Sequence, residues 1–532
     1  MKENIYKEEK SKDKKATHKF SKKHVVVITI ISFLIISVII GSAFGFYALG
    51  VTYGKTVITL DETRTYQVFQ GFGASSAWVY QSFGLSENTK LKDDTMEALY
   101  GDSGLELNTF RYNVGAGGVE VDTYEDPLRG AESFFIAEKF NGDYSVFANE
   151  SNYDFTKDRG VRELFDKALS LGNIKEVVFF ANSPHYLMTK NGKTHGEEKM
   201  QNNLKEECYT AFSKYMLVIV NYLYKNYVCK YDSDIKIKIS PVNEPQWDWG
   251  GSNATQEGCH YDPKQLAKFY DIFYKELTQY NEKNSTNFSM DIFESGNYKF
   301  TEHKTKFKTY INEFSKYDWF DELDCISVHS YGADIEKMPR MMFNNYSKNK
   351  LSEKGVSVSE YCVLQSGISE SIDMGIYSAK VLLRDLKMID AVSWNYWLSL
   401  SHKNYDYEDG LLYWDGADRV WSTRRYYTVG QFSKYITEGS VRISADYNDS
   451  FGINGVECVA FKRLDGSIVL VVINDSKRDK KIKIKGGYEN IQEIVTTQTR
   501  NWETQEYKYN GYITSKAKSV TTYIMTNPVI EG

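Results

Sequence analysis

The chain has 532 residues, with 65 Lys or Arg against 71 Asp or Glu, for a formal net charge of −6. That length exceeds one ordinary domain and accommodates an α/β barrel with a smaller module, while the charge balance argues against a nucleic-acid binder with its basic face. Six cysteines without CxxC or CxxH spacing argue against a zinc site, and no metal or other cofactor is expected.

Residues 1–23 are Lys-rich and polar and read as a disordered cytoplasmic tail. Residues 24–51 read as a transmembrane signal-anchor. From Val25 to Val51 the run "VVVITIISFLIISVIIGSAFGFYALGV" carries no charge, and a spanning helix needs about 20 residues. Lys22 and Lys23 at its start keep the N-terminus inside and place the rest outside the cytoplasm. A cleaved signal peptide is the alternative, with small residues at Ser42 to Gly45 or Ala48 to Gly50 as cleavage sites.

Residues 55–67 form a strand-like stretch expected to pair with a C-terminal module. From residue 68 to 439, apolar runs of strand length alternate with amphipathic segments. The strand candidates span 68–74, 107–115, 176–184, 235–245, 288–297, 323–332, 355–362 and 391–400. Helical patterns are legible at 158–172, 211–227, 262–280, 303–317, 374–389 and 423–436. Eight such strands are the count of a (β/α)8 TIM barrel. A doubly wound sheet would carry a GxGxxG loop after its first strand, which "GFGASSAW" lacks. Residues 440–532 change to short runs with period-two alternation, and Leu464-Asp465-Gly466 marks a hairpin. This part reads as an antiparallel β-sandwich side domain. Cys325 and Cys362 read as core thiols. A disulfide among Cys208, Cys229 and Cys259 is open outside the cell, with no pairing specified.

A barrel of this kind keeps its active site at the C-terminal strand ends. Those ends carry Arg111, Tyr112 and Asn113, then Asn182, Asn243, Glu244, Glu294, His329, Tyr331, Glu360 and Tyr361, and finally Trp394, Asn395, Tyr396 and Trp397. The set holds no Ser/His/Asp arrangement. Two carboxylates across a cleft suit glycoside hydrolysis, one as general acid and base and the other as nucleophile. A lone strand-end glutamate is better explained by a salt bridge; Glu244 and Glu360 together shift that balance. The aromatic content of 15% fits stacking on sugar faces, although composition alone is better explained by a Tyr-rich core and surface.

The stretches "SPVNEPQWDW", "SEYC", "FRYNVGAGG", "ANSPHYLM", "VHSY" and "YYTVGQFSKYITEGSVRI" together resemble glycoside hydrolase family 30. "NEPQWDW" followed by "QEGC" resembles its endo-β-1,6-galactanase branch. The resemblance implies Glu244 as acid/base, with a proton affinity raised by burial and by the second carboxylate, and Glu360 as nucleophile. It implies Asn243 at the sugar 2-hydroxyl, and Arg111 and Tyr331 holding Glu360 ionised. Trp394, Trp397, Trp247 and Trp249 become sugar platforms, and Asn182 a substrate-binding amide. "SPHYLM" departs from the family's Ser-Pro-Pro-Tyr-Trp-Met, leaving His185 as a sugar contact or a surface histidine. Glu294 reads as a structural ion-pair residue, with substrate binding as the alternative, and Asp248 as a sugar contact or a helix cap. The expected partner is a polysaccharide or oligosaccharide. A β-1,6-glucanase, a xylanase, a glucosylceramidase-like enzyme and an inactive surface glycan-binding protein are the alternatives.

Overall fold

A computed structural model describes residues 29–42, 45, 56–299, 307–351, 354–405, 407–449 and 454–526. Residues 29–42 are helical, and no described helix is long and apolar enough to cross a membrane. The tail 1–23 and the rest of the expected anchor lie outside the described residues, apart from residue 45.

Eight parallel strands build the barrel: β2 (Gly71–Ser75), β3 (Thr109–Asn113), β4 (Glu176–Phe180), β5 (Lys236–Ser240), β6 (Ser289–Met290), β7 (Cys325–His329), β8 (Gly355–Tyr361) and β9 (Ala391–His402). The pairing runs β9–β2–β3–β4–β5–β6 on one side and β7–β8–β9 on the other. A parallel bridge between Ser295 and Val328 joins β6 to β7, so the ring closes as a (β/α)8 barrel. β4 (EVVFF) reads as an apolar run after its first residue because both its faces are covered, whereas β5 (KIKIS) and β8 (GVSVSEY) alternate Lys or Ser with apolar residues.

The fifth strand is shorter than its apolar run implies. Its regular part ends at Met290, and Phe293 and Glu294 then take positive φ of 80° and 27°, a region that non-glycine residues rarely occupy. The 303–317 pattern is helical over Phe307–Phe314. Two helices, Thr89–Tyr100 and Lys337–Lys350, escape the sequence reading for lack of an apolar stripe. The second buries only Pro339, Arg340, Phe343 and Ser347. A strand pair also extends the sheet beyond β9: β10 (Gly410–Trp414) lies parallel to β9, and β11 (Val420–Ser422) is antiparallel to β10.

The side domain is antiparallel, and β1 (Thr56–Val68) pairs with β12 (Val441–Tyr447) inside it. Ile58, Ile443, Cys458, Leu470 and Tyr523 share its core. The side domain is held to the barrel by buried polar contacts: Arg384 on the helix Ile372–Met388 pairs with Glu457, and Gln431 donates to Thr496 Oγ1 at 2.8 Å. At the hairpin, Gly466 takes φ 83°, a conformation that favours glycine. All six cysteines are free, with Cys208 and Cys259 buried and Cys229 exposed.

Candidate active site

The turn after β5 aims Glu244. Pro241 and Pro245 bracket it and end the ladder, since proline donates no backbone hydrogen bond. Glu244 itself sits at φ 44°. Its N–H donates to the Glu294 carbonyl at 3.0 Å, and its carbonyl accepts from the Trp247 N–H at 3.1 Å and the Trp249 Nε1 at 3.0 Å. Strain of this kind persists only where surrounding contacts over-determine it, and three backbone-directed bonds do so here.

Glu360 lies near the end of β8, across the barrel from Glu244; the two residues are 5% and 7% exposed. One carboxylate oxygen from each, with a ring nitrogen of His329, lie within 4.8 Å of one another. His329 Nδ1 is 2.9 Å from Glu244 Oε1 and 3.7 Å from Glu360 Oε1, and its Nε2 is 3.2 Å from Glu294 Oε2. Arg111 donates to Glu294 and, at 3.3 Å, to Glu360 Oε2, while the Tyr331 hydroxyl donates to Glu360 Oε1 at 3.0 Å.

These contacts set the charge state. Burial pulls the His329 imidazole down, but the carboxylates of Glu360, Glu244 and Glu294 outweigh it and raise the ring to about 10. Burial likewise pushes Glu294 up, yet Arg111 and His329 hold it below the usual carboxylate range. Glu360 is raised to about 7, by burial first and by Glu244 and Glu294, against the pull of His329 and Arg111. Burial keeps the Tyr331 hydroxyl protonated, hence a donor. Through its two ring nitrogens His329 ties Glu244, Glu294 and Glu360 into one buried polar network.

A cleft of about 1080 Å³ opens over the pair. Asn243, Tyr331, Trp247, Trp249 and Trp397 line it. Asn243 Nδ2 donates to Asn182 Oδ1 at 3.1 Å, whereas its own buried Oδ1 has no partner among the described residues. Asn182 stands behind it, donating to Asn113 Oδ1 at 3.3 Å. Arg111 is buried beneath Glu360, with its guanidinium over the Phe180 ring at 4.3 Å.

Two expectations need correction. Trp394 is no platform: it is 1% exposed and donates Nε1 to Asp385 at 3.0 Å, because the alternation along β9 turns it away from the cleft while Trp397 reaches it. His185 is neither a sugar contact nor on the surface; it is fully buried among Phe135, Phe147 and Tyr215, and burial lowers it to about 3. Asp248 lines the cleft and also organises its own loop, accepting from the N–H groups of Met200 and Gly250 and from Asn253 Nδ2.

The sequence reading gave His329 no role, although it stands at a strand end. It missed Trp78, Arg129 and Asp409, which also line the cleft. Trp78, at φ 62°, meets Trp397 edge-on at 5.3 Å and lies under the Arg129 guanidinium at 4.2 Å. None of the three lies in a strand, so period-two patterning could not point to them.

Gly296 shows how closely the site is packed. A Cβ there would lie 2.0 Å from Trp247 Nε1 and 2.4 Å from Glu244 Oε1. Gly296→Ala is therefore expected to displace the Glu244 carboxylate and lower kcat by about 100-fold, since a shift of about 1 Å at a reacting group has that cost. Turnover at the wild-type rate, with the fold intact by circular dichroism, would refute the packing argument.

The sequence profile of the O-Glycosyl hydrolase family 30 matches residues 55–413, and that of the Glycosyl hydrolase family 30 beta sandwich domain matches residues 439–523. An endo-beta-1,6-galactanase of Hypocrea rufa is 24% identical over 405 residues, covering 72% of this chain and 75% of that protein. Among solved structures, a conserved exported protein from Bacteroides fragilis superposes with a TM-score of 0.73 at 21% identity, covering 88% of this chain and 100% of that one. The catalytic domain of a family 30 xylanase C from Talaromyces cellulolyticus does so with a TM-score of 0.63 at 17% identity, covering 88% and 100%. At these identities the superpositions speak to the fold alone.

Proposed function

Because the chain belongs to glycoside hydrolase family 30 and is an O-glycosyl hydrolase, we propose that it cleaves β-1,6-linked galactan with retention of configuration, using Glu360 as nucleophile and Glu244 as acid and base. The observation that carries this reading is the approach of one oxygen of Glu244 to within 4.8 Å of one oxygen of Glu360, closer than the carboxyl groups of an inverting pair, which stand about 6.5–9.5 Å apart to admit a water.

In the first step Glu360 attacks the anomeric carbon, the glycosidic C–O bond breaks, and protonated Glu244 gives its proton to the departing oxygen. The product is a glycosyl ester on Glu360. In the second step Glu244, now a carboxylate, takes a proton from water, and the water oxygen attacks the anomeric carbon and frees Glu360. One water and one glycosidic bond are consumed. Arg111 and Tyr331 orient Glu360, and Asn243 accepts or donates at the sugar 2-hydroxyl, a contact that strengthens in the transition state. Trp397, Trp247 and Trp249 supply apolar faces for the sugar rings.

Galactan is favoured over other sugars by the relative from Hypocrea rufa, which matches along 72% of the chain. Hydrolysis of β-1,6-galactan beside β-1,6-glucan and xylan, followed by proton NMR of the first-formed product, tests both halves. The expected result is preferential galactan cleavage with a β-anomer first. An α-anomer first would overturn the mechanism, and glucan or xylan preference the substrate.

The apolar run 25–51 is read as a signal-anchor, with the barrel displayed outside the cytoplasm. Removal of the catalytic part by protease added to intact cells is expected; its full protection would overturn that placement.

A further inference from the structure

We propose that Asp409 is a sugar-binding carboxylate of the cleft, accepting hydrogen bonds from hydroxyls of the sugar unit on the Glu360 side of the scissile bond. The inference rests on the glycosidase reading above and goes beyond it by naming a specificity group outside the paired glutamates and their supports.

Asp409 lies in the return between β9 and β10, is 4% exposed, and lines the cleft with Glu360, Tyr331 and Trp397. One of its oxygens is occupied: Oδ1 accepts from Ser401 Oγ at 2.7 Å and from the Tyr413 hydroxyl at 3.5 Å. Among the described residues no donor reaches Oδ2. A carboxylate oxygen at a cleft wall that takes no hydrogen bond from a protein side chain keeps its acceptor capacity for the hydroxyls a ligand brings. Burial raises Asp409 to about 6, while the Ser401 hydroxyl and the Arg129 charge pull it down, so the group is available as an acceptor at neutral pH.

The barrel order decides which part of the substrate it meets. β9 lies between β8, which carries Glu360, and β2, which leads into Trp78. Glu244 stands across the ring after β5, with Trp247 and Trp249 beside it. The leaving group belongs on the Glu244 side, because that residue protonates its oxygen. The sugar that bonds to Glu360 therefore belongs on the side of Asp409, Trp397 and Trp78. A carboxylate edge beside indole rings matches a sugar, which offers hydroxyl donors around its rim and an apolar C–H face.

The test uses Asp409→Asn, which keeps the side-chain shape and removes the charge, and Asp409→Ala. Three quantities are measured: kcat/KM on β-1,6-linked galacto-oligosaccharides, the Kd of the uncleaved oligosaccharide by calorimetry in a Glu360→Gln background, and the thermal midpoint. Asp409→Ala is expected to lose about 30-fold or more in kcat/KM and Asp409→Asn about fivefold or more, with a Kd weakened about tenfold and, in Asp409→Asn, which keeps an acceptor for Ser401, an unchanged thermal midpoint. Values of kcat/KM within threefold of wild type would overturn the proposal. So would a loss of rate accompanied by a lowered midpoint and an unchanged Kd, the mark of a structural role. If the wild type cleaves no β-1,6-galactan, β-1,6-glucan or xylan oligosaccharide, the glycosidase reading fails on its own, and the Kd comparison alone then decides Asp409. Absence of binding to all three would overturn both.

Discussion

Replacing Glu360 by Gln is expected to abolish turnover while leaving the barrel folded, and Glu244→Gln is expected to lower kcat by about 10²–10⁴-fold, the range for a lost general acid. The two variants should differ in kind. With a dinitrophenyl glycoside, whose leaving group needs no proton, Glu244→Gln should form the glycosyl ester quickly and hydrolyse it slowly, giving a burst of dinitrophenol. Glu360→Gln should give no burst, because no ester can form. A burst from Glu360→Gln, or full activity in either variant on natural substrate, would exchange or remove the assigned roles. The amide substitutions suit this test because they keep the side-chain shape, and at Glu360 the amide oxygen can still accept from one of its two donors, Arg111 or Tyr331.

The His329→Gln variant is expected to lose about 3–5 kcal/mol of stability at pH 7, the cost of breaking a buried ionic network by removing one partner. His329 is fully buried, and its loss leaves Glu244, Glu294 and Glu360 facing Arg111 alone. The pH dependence has a definite sign. The ring is raised in the folded protein from 6.5 to about 10, so its contribution is full below 6.5 and is lost as pH rises through about 10. The gap between wild type and variant, measured by urea denaturation, should therefore narrow over that window. A gap that is constant from pH 6.5 to 10 would mean the imidazole is neutral in the native protein. Catalysis carries a second signature. Glu360 must be ionised to attack, and it is raised from 4.5 to about 7, so activity should fall as pH drops through a limb above the ordinary carboxylate range.

Both predictions depend on residues whose legibility in the sequence differed. Glu244 and Glu360 stood out because an apolar strand that ends on a carboxylate, beside Asn-Pro or Tyr-Cys, interrupts its own pattern. Arg111 and Tyr331 are likewise polar groups at strand ends, and both reach Glu360. Trp394 misled for a related reason: adjacent strand positions face opposite ways, and a run of aromatics gives no sign of which ones face the cleft. His185 misled because "SPHYLM" contains no hint that three aromatic rings from distant segments enclose it. Asp409 and Trp78 lie on turns, where no periodicity operates.

What the sequence determined by itself was the strand count, the order of barrel and side domain, and two strand-end glutamates that the fold brings together. Those features are written in local patterns of apolar and polar residues, and physical chemistry reads such patterns one segment at a time. Only the tertiary structure decided that His329 is a charged bridge among three carboxylates, that Gly296 leaves room for Glu244, and that Asp409 faces the cleft with an oxygen to spare. Each of these is a distance between groups far apart in the chain. Desolvation and Coulomb interactions act through such distances, and no local pattern encodes them.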